Sequence, residues 1–349
     1  MQRTSHSLPS FQDNMDSGLL MCAAGGSLHG PSAVVNMHAH FKLTLSVELY
    51  FTAGEMEQQR THAQEWEAKV RARGIQVSVH QVEKQVLQNR FNCKVASILQ
   101  TRLSQIIFVD SDVLFLQSPQ VLFQTREYSE TGLMLFRDRQ FMWNFSPNSQ
   151  SPFFELLHQS LKNASTQLQT SNVWRRKSNN HAESGIIVLD RKRHTKTLAM
   201  LAMKAEIWQN YVHGDKEMFW MAAEFAETPY AFSPYAAGQL HTAIGALQCC
   251  GLTVHFHPDH GSALAIHGLK NMKDSEILYN DNTLSYTAPS RDVYRIWGLC
   301  SKRDFSCPSC RILHSVWSCN TSSLLNFSTA ERNMLMLHAS PRQQDVDTG

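Results

Sequence analysis

The chain has 349 residues, 42% of them apolar, which allows an ordinary hydrophobic core in one large domain or two smaller ones. Its 32 Lys and Arg residues nearly balance its 30 Asp and Glu residues, so it lacks the basic surface typical of nucleic-acid binding. We therefore expect no nucleic-acid partner, and any phosphate-bearing partner must be held by a local site. Residues 1–17 form a polar segment, and no window of 18 uncharged apolar residues occurs. We expect contact with a membrane only through an anchor absent from this chain.

The first third of the chain alternates between strand-like and helix-like segments. Short apolar or alternating runs predict strands, and longer amphipathic or polar runs predict helices. The predicted strands cover 18–24, 47–51, 75–80 and 106–109, and the predicted helices cover 31–41, 55–73 and 92–103. This alternation indicates an α/β fold with a parallel sheet and crossover helices. Ligands of such sheets bind at the carboxyl ends of the strands, where Gly25 and the Asp110-Ser111-Asp112 segment lie.

The second half continues the pattern around a polar insertion at 144–180. Strands are predicted at 131–136, 186–189, 253–257 and 263–267, and helices at 198–212 and 214–226. We expect a catalytic domain over 18–280, a cysteine-containing extension over 281–339 and a disordered tail over 340–349.

Four of the eight cysteines lie late in the chain, at Cys300, Cys307, Cys310 and Cys319. The C-x2-C spacing of Cys307 and Cys310 allows a zinc site, but the outer spacings do not repeat it. Disulfides in an oxidising compartment are the other interpretation. Four Asn-x-Ser/Thr sequons, two of them next to this cluster, favour disulfides in a secretory protein.

Asp110 and Asp112 directly follow the apolar run at 106–109. Side chains two residues apart in a strand share a face, so these carboxylates can converge on one divalent cation at the strand end. Oxygen ligands suit Mn²⁺ or Mg²⁺, which would neutralise a bound diphosphate. A lone Asp-x-Asp is common and is often only a solvated turn. The flanking apolar runs place this one at the edge of a sheet and predict a metal-diphosphate site.

Two groups of histidines could serve such a site. His267 follows an apolar strand and could complete the metal shell, with Lys273 close enough to meet phosphate, or it could be a partly buried loop residue. His255, His257 and His260 form a rival cluster. His255 and His257 share a strand face, which permits zinc but more often lines a pocket.

Three more charged residues have both a functional and a structural interpretation. Glu183 could bind a sugar hydroxyl or a reaction charge, or be a strand-start carboxylate in water, and Gly185 would let backbone approach a ligand. Asp215 fits the N-cap of the helix predicted from 214, and it could also reach a sugar. Lys94 lies on the helix before the metal strand, and by itself it would be taken for a surface lysine.

Six segments in the same order resemble one family. They are 18–26, 47–51, 94–116 with its Asp110-Ser111-Asp112, 119–123, 183–190 and 214–220. Together they resemble the fungal-type Golgi α-mannosyltransferases, glycosyltransferase family 71.

The resemblance implies a GT-A type fold, with a mostly parallel central sheet and flanking helices. It implies a metal-dependent retaining transfer of mannose from GDP-mannose to a glycan or glycoprotein acceptor, in the Golgi lumen or at its membrane. By position it implies metal ligation by Asp110, Asp112 and His267, with Mn²⁺ or Mg²⁺ as the cation. Asp215 and Glu183 become the catalytic candidates. Besides Asp110 and Asp112, the implied donor contacts are Ala23, Gly25, Lys94, Lys216 and Lys273.

Two alternatives stay open at this point. The spacing from His267 to Lys273 also resembles the glycogenin-like retaining transferases, which implies a UDP-sugar donor. An inactive relative that only binds carbohydrate is the other alternative, and the intact pair of Asp110 and Asp112 argues against it.

Overall fold

The structure of the protein is a computed structural model. The described residues are 17–23, 27–83, 91–138, 140–141, 151–178, 180–244, 247–268, 285–291, 295–296 and 324–339. Gly25, Lys273 and the four late cysteines lie outside these ranges. The choice between zinc and disulfides for those cysteines therefore stays a prediction, as do the domain boundaries.

Seven described strands form the central sheet. They are β1 (Ser17–Cys22), β2 (Ser46–Phe51), β3 (Val77–Gln81), β4 (Gln105–Val109), β6 (Leu133–Arg137), β8 (Ala182–Asp190) and β9 (Ala231–Phe232). Their order is β3-β2-β1-β4-β8-β6-β9. Strands β1 to β4 are mutually parallel, and β8 alone runs antiparallel to its neighbours β4 and β6. The predicted α/β class with a mostly parallel central sheet is confirmed.

Helices cover both faces of the first half of this sheet. They are α1 (His29–His40), α2 (Ala53–Ala72) and α3 (Asn92–Gln100). Successive side chains of β1 enter two different buried clusters, with Leu19 and Met21 in one and Leu20 in the other. Because both faces of the sheet are buried in this way, the polar side chains of the site gather at the carboxyl edge.

The helices of the second half differ in their bounds from the prediction. They are α4 (Arg126–Thr131), α5 (Pro152–Ser160), α6 (Thr166–Thr170), α7 (Thr195–Trp208), α8 (Met218–Phe225) and α9 (Thr329–Ala339), and a 3₁₀ helix covers Pro119–Gln124. Helix α8 does not begin at Gly214, whose φ of 69° is left-handed and incompatible with a helix start. Residues 214–217 form a turn instead. Helices α5 and α6 lie in the segment predicted only as a polar insertion.

A second, antiparallel sheet lies beside the end of β4. Its strands are β5 (Val113–Phe115), β10 (Gly238–Ile244), β11 (Leu247–Phe256), β12 (Ala263–His267), β13 (Ser285–Thr287) and β15 (Leu324–Asn326). Their order is β15-β13-β10-β11-β12-β5. The remaining pair, β7 (Gln140–Phe141) and β14 (Arg295–Ile296), is parallel. The pairing of β12 with β5 is what brings a distant part of the chain to the Asp110–Asp112 turn.

A disulfide joins Cys22, the last residue of β1, to Cys93 in the first turn of α3. The sequence did not predict it, because a separation of 71 residues leaves no local signal. Its presence agrees with an oxidising compartment. Among the helices that the structure describes, none combines the length and apolar character needed to cross a bilayer.

Candidate active site

The turn between β4 and β5 carries Asp110 and Asp112. Strand β4 is buried between β1 and β8, so the turn emerges at the carboxyl edge of the central sheet. The N–H of Asp110 donates to the carbonyl of Gly185 on β8 at 2.8 Å, and the N–H of Val113 donates to the carbonyl of Asp110 at 3.0 Å. These two hydrogen bonds fix the backbone from which both carboxylates project.

His267 reaches this turn because β12 pairs with β5. It lies opposite Val113 in the ladder, and the N–H of Gly268 donates to the carbonyl of Asp112 at 3.1 Å. The Nε2 atom of His267 lies 3.2 Å from Oδ1 of Asp112 and 3.7 Å from Oδ2 of Asp110. Ligand atoms of these three side chains lie within 4.8 Å of one another.

This set of side chains fits a divalent cation. Two carboxylates and one imidazole offer three ligand atoms, and Mn²⁺ or Mg²⁺ can complete its shell with water or substrate oxygens. Asp112 is 3% exposed, whereas His267 is 16% and Asp110 29% exposed, so the cluster is open on the side of Asp110. A ligand can therefore reach the cluster from that side.

Lys94 lies under the cluster and is not the surface residue that its sequence context suggested. Its Nζ lies 3.0 Å from Oδ1 of Asp110 and 3.0 Å from Oδ2 of Asp215. It also donates to the carbonyl and the hydroxyl of Ser184, at 2.9 and 3.1 Å. Burial opposes the charge, but Asp110, Asp215 and Glu183 raise the pKa of Lys94 above its ordinary value. Lys94 is a buried cation shared by two carboxylates.

Glu183 lies behind His267 and is 2% exposed. Its Oε2 accepts the N–H of Gly185 at 2.8 Å and lies 2.9 Å from Nδ1 of His267. The same oxygen lies 3.3 Å from Nε2 of His255. The interpretation of Glu183 as a strand-start carboxylate in water is therefore wrong, because burial and these contacts exclude solvent from it.

Protonation in this part of the site follows from these contacts. Burial would lower the pKa of His267, but Glu183 and Asp112 raise it to about 10. Burial would raise the pKa of Glu183, yet the neighbouring His267, His255 and Lys216 hold it well below its usual range. Burial lowers the pKa of His255. In the absence of a cation, a charged His267 thus lies between anionic side chains, with a neutral His255 behind them.

Lys216 is a partly exposed cation beside this cluster, with 33% of its side chain accessible. Its Nζ lies 2.9 Å from Oδ2 of Asp138 and 3.7 Å from Oε1 of Glu183. Asp138, which directly follows β6, was not predicted as a site residue. It stands in a run of alternating charges, Arg137-Asp138-Arg139, that resembles no metal or sugar motif.

Two glycines allow close packing around the site. A Cβ on Gly185 would lie 2.7 Å from Cε1 and Nδ1 of His267, so this glycine makes room for the imidazole and not for a ligand as predicted. A Cβ on Gly30, in the first turn of α1, would collide with the backbone of Ser111. A side chain on Gly185 would therefore displace His267, and one on Gly30 would displace the turn that carries Asp110 and Asp112.

The structure changes one further prediction about the site and adds one residue to it. Asp215 is not the N-cap of α8, because the N-cap is Glu217 and Asp215 lies in the turn before it. Ser184, which the sequence did not single out, donates from Oγ to Oδ1 of Asp215 at 3.1 Å. The sequence did offer a signal for Ser184. Successive side chains of a strand lie on opposite faces, so if Glu183 faces the site, Ser184 lies on the other face, toward α3.

The remaining predicted residues lie apart from the cluster or outside the described ranges. Ala23 directly follows β1 and donates its N–H to the carbonyl of Tyr50 at 2.9 Å. His257 and His260 stack on each other with 3.8 Å between ring centroids, and neither belongs to a group of possible metal ligands in the described part of the chain. The rival histidine cluster is therefore not assembled, and only His255 joins the site.

Residues 15–248 match the family model described as "Mannosyltransferase putative", which is more than half of the chain. The chain belongs to this mannosyltransferase family. The matched residues include Asp110, Asp112, Glu183 and Asp215, while His267 lies beyond them.

Curated relatives of this family member come from fungi. "Putative alpha-1,3-mannosyltransferase MNN14" of Candida albicans is 24% identical over 258 residues, covering 67% of this chain and 38% of that protein. Alpha-1,3-mannosyltransferase MNT2 of Saccharomyces cerevisiae is 22% identical over 191 residues, covering 48% of this chain and 34% of that protein. The chain thus spans only about a third of the length of these relatives.

A solved structure that the chain partly matches is glycosyltransferase GlyE of Streptococcus pneumoniae. It is 11% identical with a TM-score of 0.40, covering 63% of this chain and 45% of that one. Family membership, together with the mostly parallel sheet and its single antiparallel strand β8, confirms the GT-A type of fold.

Proposed function

We propose that this member of the mannosyltransferase family is a metal-dependent retaining enzyme that transfers mannose from GDP-mannose to a mannose-containing glycan of a glycoprotein. The observation that carries this proposal is the cluster of Asp110, Asp112 and His267 at the carboxyl edge of the sheet. Because the matched relatives are named α-1,3-mannosyltransferases, we extend that linkage to this chain.

Asp110, Asp112 and His267 are proposed to hold Mn²⁺ or Mg²⁺. When bound, the cation supplies positive charge that offsets the donor diphosphate and the charge that grows on it as the sugar departs. Lys216, which is partly exposed beside this cluster, is proposed to contact the donor as a second positive charge. Ala23 and Gly25 stay predicted nucleotide contacts, and Lys273 a predicted phosphate contact.

Lys94 and Asp215 are proposed to position the cluster without contacting the donor. The ammonium group of Lys94 has three N–H donors, and it donates to Oδ2 of Asp110 and to the carbonyl and hydroxyl of Ser184, while its charge lies 3.0 Å from Oδ2 of Asp215. Asp215 is 1% exposed and is held by Lys94 and Ser184, so a sugar cannot touch it in this arrangement. The pair would therefore keep the carboxylate of Asp110 oriented for the cation.

A secretory compartment, the Golgi lumen, is proposed for this chain. The disulfide between Cys22 and Cys93 is of the kind that persists in oxidising compartments. Asn163 belongs to a sequon and lies exposed in a turn, where a glycosyl group can be attached.

The direct test incubates purified protein with GDP-mannose, Mn²⁺ and an α-mannoside acceptor. We expect release of GDP that depends on the acceptor and stops with a chelator, and a product whose new linkage can be assigned by NMR. Asp112→Asn removes one ligand charge and should lower the rate at least about 100-fold. Absence of transfer and of slow hydrolysis with every nucleotide sugar tested would contradict the proposal.

The donor is tested separately by thermal shift. GDP and UDP are compared at equal concentrations with Mn²⁺, because a ligand that binds only the folded state raises the melting temperature. A shift with GDP alone supports GDP-mannose, whereas a shift with UDP alone supports the glycogenin-like alternative. Binding of an α-mannoside without a shift from either nucleotide would indicate the inactive carbohydrate-binding alternative.

A further inference from the structure

We propose that Glu183 is a positioning residue for the cation: its carboxylate holds Nδ1–H of His267, so that Nε2 faces Asp110 and Asp112 as the third ligand. The proposal rests on the proposed function in one respect, since it assumes that a divalent cation occupies this cluster. In this proposal Glu183 orients the metal ligand His267 and does not contact the sugar.

The two nitrogens of the His267 ring face different partners. Nδ1 lies 2.9 Å from Oε2 of Glu183, and Nε2 lies 3.2 Å from Oδ1 of Asp112. A neutral imidazole carries its proton on only one nitrogen, and a hydrogen bond from Nδ1 leaves the lone pair of Nε2 available to a cation. Metal-bound histidines usually donate their other N–H to such a carboxylate, which fixes the ring and raises its basicity.

The carboxylate of Glu183 is itself fixed from two sides. Oε2 accepts the N–H of Gly185 at 2.8 Å, and it lies 3.3 Å from Nε2 of His255. The ring of His255 is 1% exposed and packs against Phe136 with 4.9 Å between centroids. These contacts leave Oε2 little freedom, so the orientation of His267 is set before any ligand arrives.

The same geometry keeps Glu183 away from a substrate. The His267 ring lies between Glu183 and the Asp110–Asp112 turn, because its Nδ1 contacts Glu183 and its Nε2 contacts Asp112. Glu183 is also only 2% exposed. A sugar bound at the open side of the cluster would meet the cation and Asp110 before it could meet Glu183.

The Glu183-Ser184-Gly185 segment can then be explained residue by residue. Glu183 orients His267, and Ser184 binds Lys94 through both its carbonyl and its hydroxyl. Gly185 leaves space for the imidazole, and its carbonyl accepts the N–H of Asp110. All three residues support the metal cluster from β8.

The test measures Mn²⁺ affinity by titration calorimetry, with and without GDP. Glu183→Gln keeps the size of the side chain but removes its charge, and we expect binding about 10–100-fold weaker. Turnover at saturating Mn²⁺ should approach the wild-type kcat, because the change acts on occupancy of the cation site. The matched control is Glu224→Gln, since Glu224 is also buried and accepts hydrogen bonds from Ser165 and Tyr230. Its Mn²⁺ affinity should stay within about twofold of wild type.

The outcomes separate this inference from the proposed function. If wild-type protein binds Mn²⁺ and Glu183→Gln binds it equally well, the inference is overturned while the metal site stands. If wild-type protein binds no Mn²⁺ with or without GDP, both are overturned.

A second measurement avoids the variant, in case Glu183→Gln does not fold. Histidine side chains of ¹⁵N-labelled wild-type protein are observed by NMR with Zn²⁺ as a diamagnetic probe, and the His267 signals are identified by their loss in His267→Gln. We expect a proton on Nδ1 and a Zn²⁺-induced shift at Nε2. In the Zn²⁺-bound protein, a proton on Nε2, or Zn²⁺ bound through Nδ1, overturns the proposal.

Discussion

Lys94 and Asp215 form a buried ion pair, with 3.0 Å between Nζ and Oδ2 and with 7% and 1% of their side chains exposed. Lys94 lies on α3 and Asp215 in the turn before α8, so the pair connects two elements that are distant in the sequence. Nζ also contacts Asp110, which extends the connection to the cluster of Asp110, Asp112 and His267. Removing one partner of a buried pair leaves the other charge uncompensated. The resulting loss of folding stability exceeds the stability that the intact pair contributes.

Replacing Lys94 should therefore destabilise the fold as well as the site. Lys94→Met removes the cation from Asp215, and we expect the free energy of unfolding to fall by about 3–5 kcal/mol. Denaturant titration measures it. Adding Asp215→Asn should recover part of the loss, because the stranded charge is then gone. A double variant as unstable as the sum of the two single variants would contradict this coupling.

An exposed ion pair supplies the control for this prediction. Arg126 and Glu130 lie one helical turn apart on α4 with 2.7 Å between Nε and Oε1, and 78% and 58% of their side chains are exposed. Exposed pairs contribute little to stability. Arg126→Ala should leave the denaturation midpoint unchanged.

Gly30 gives a second prediction, about the turn that carries Asp110 and Asp112. Gly30→Ala would place a Cβ against the backbone of Ser111, so either α1 or the turn that carries Asp110 and Asp112 must move. We expect weaker Mn²⁺ binding and lower stability. Gly54 is a matched control, because it is likewise the second residue of a helix but has no atom within 4 Å of the added Cβ. Gly54→Ala should raise stability by about 0.5–1 kcal/mol and leave Mn²⁺ affinity unchanged.

The sequence predicted those features that depend on local pattern. The apolar run before Asp110 indicated a buried strand, and alternation of strands and helices indicated a mostly parallel sheet; both are found. It could not show that Val113 pairs with His267, because this pairing joins residues far apart in the chain. From its sequence context His267 could complete the metal shell or be a partly buried loop residue, and only the resemblance favoured the first interpretation.

Burial was the other property that local pattern could not supply. By itself Lys94 suggested a surface residue and Glu183 allowed a solvated one, since charged side chains are rarely buried unless they are paired. Their partners lie on other strands and helices, so the pairing becomes visible only in three dimensions. The turn at 214–217 was missed for a local reason, the left-handed φ of Gly214.

The disulfide between Cys22 and Cys93 gives a third prediction. It closes a loop of 71 residues, and its removal should lower the free energy of unfolding by about 2–5 kcal/mol. Denaturant titration of the Cys22→Ser/Cys93→Ser double variant measures the loss. Peptide mapping after alkylation without reductant should find neither thiol modified in wild-type protein. Quantitative alkylation of both thiols would show that the bond is absent.

His181 gives a prediction about stability in acid. Its ring packs against Phe232 and Trp220, with centroid distances of 4.3 and 5.7 Å, and neither ring nitrogen has a hydrogen-bond partner among the described residues. Burial, together with the charge of Arg137, lowers the pKa of His181 from 6.5 to about 3. Above pH 6.5 the ring is neutral in both the folded and the unfolded chain, so this residue contributes no pH dependence there. As the pH falls below 6.5 only the unfolded chain gains the proton, and stability is lost.

The expected loss through this residue is about 1.4 kcal/mol per pH unit, or about 2 kcal/mol between pH 7 and pH 5. His181→Phe keeps an aromatic ring against Trp220 and removes the titrating group. Denaturant titrations at pH 7, 6 and 5 should therefore show a smaller decrease for this variant than for wild type. The control His62→Phe replaces an exposed histidine on α2 and should keep the wild-type decrease. Equal decreases in wild type and His181→Phe would mean that the folded protein admits a proton to this ring, and hence that His181 is not sealed from solvent.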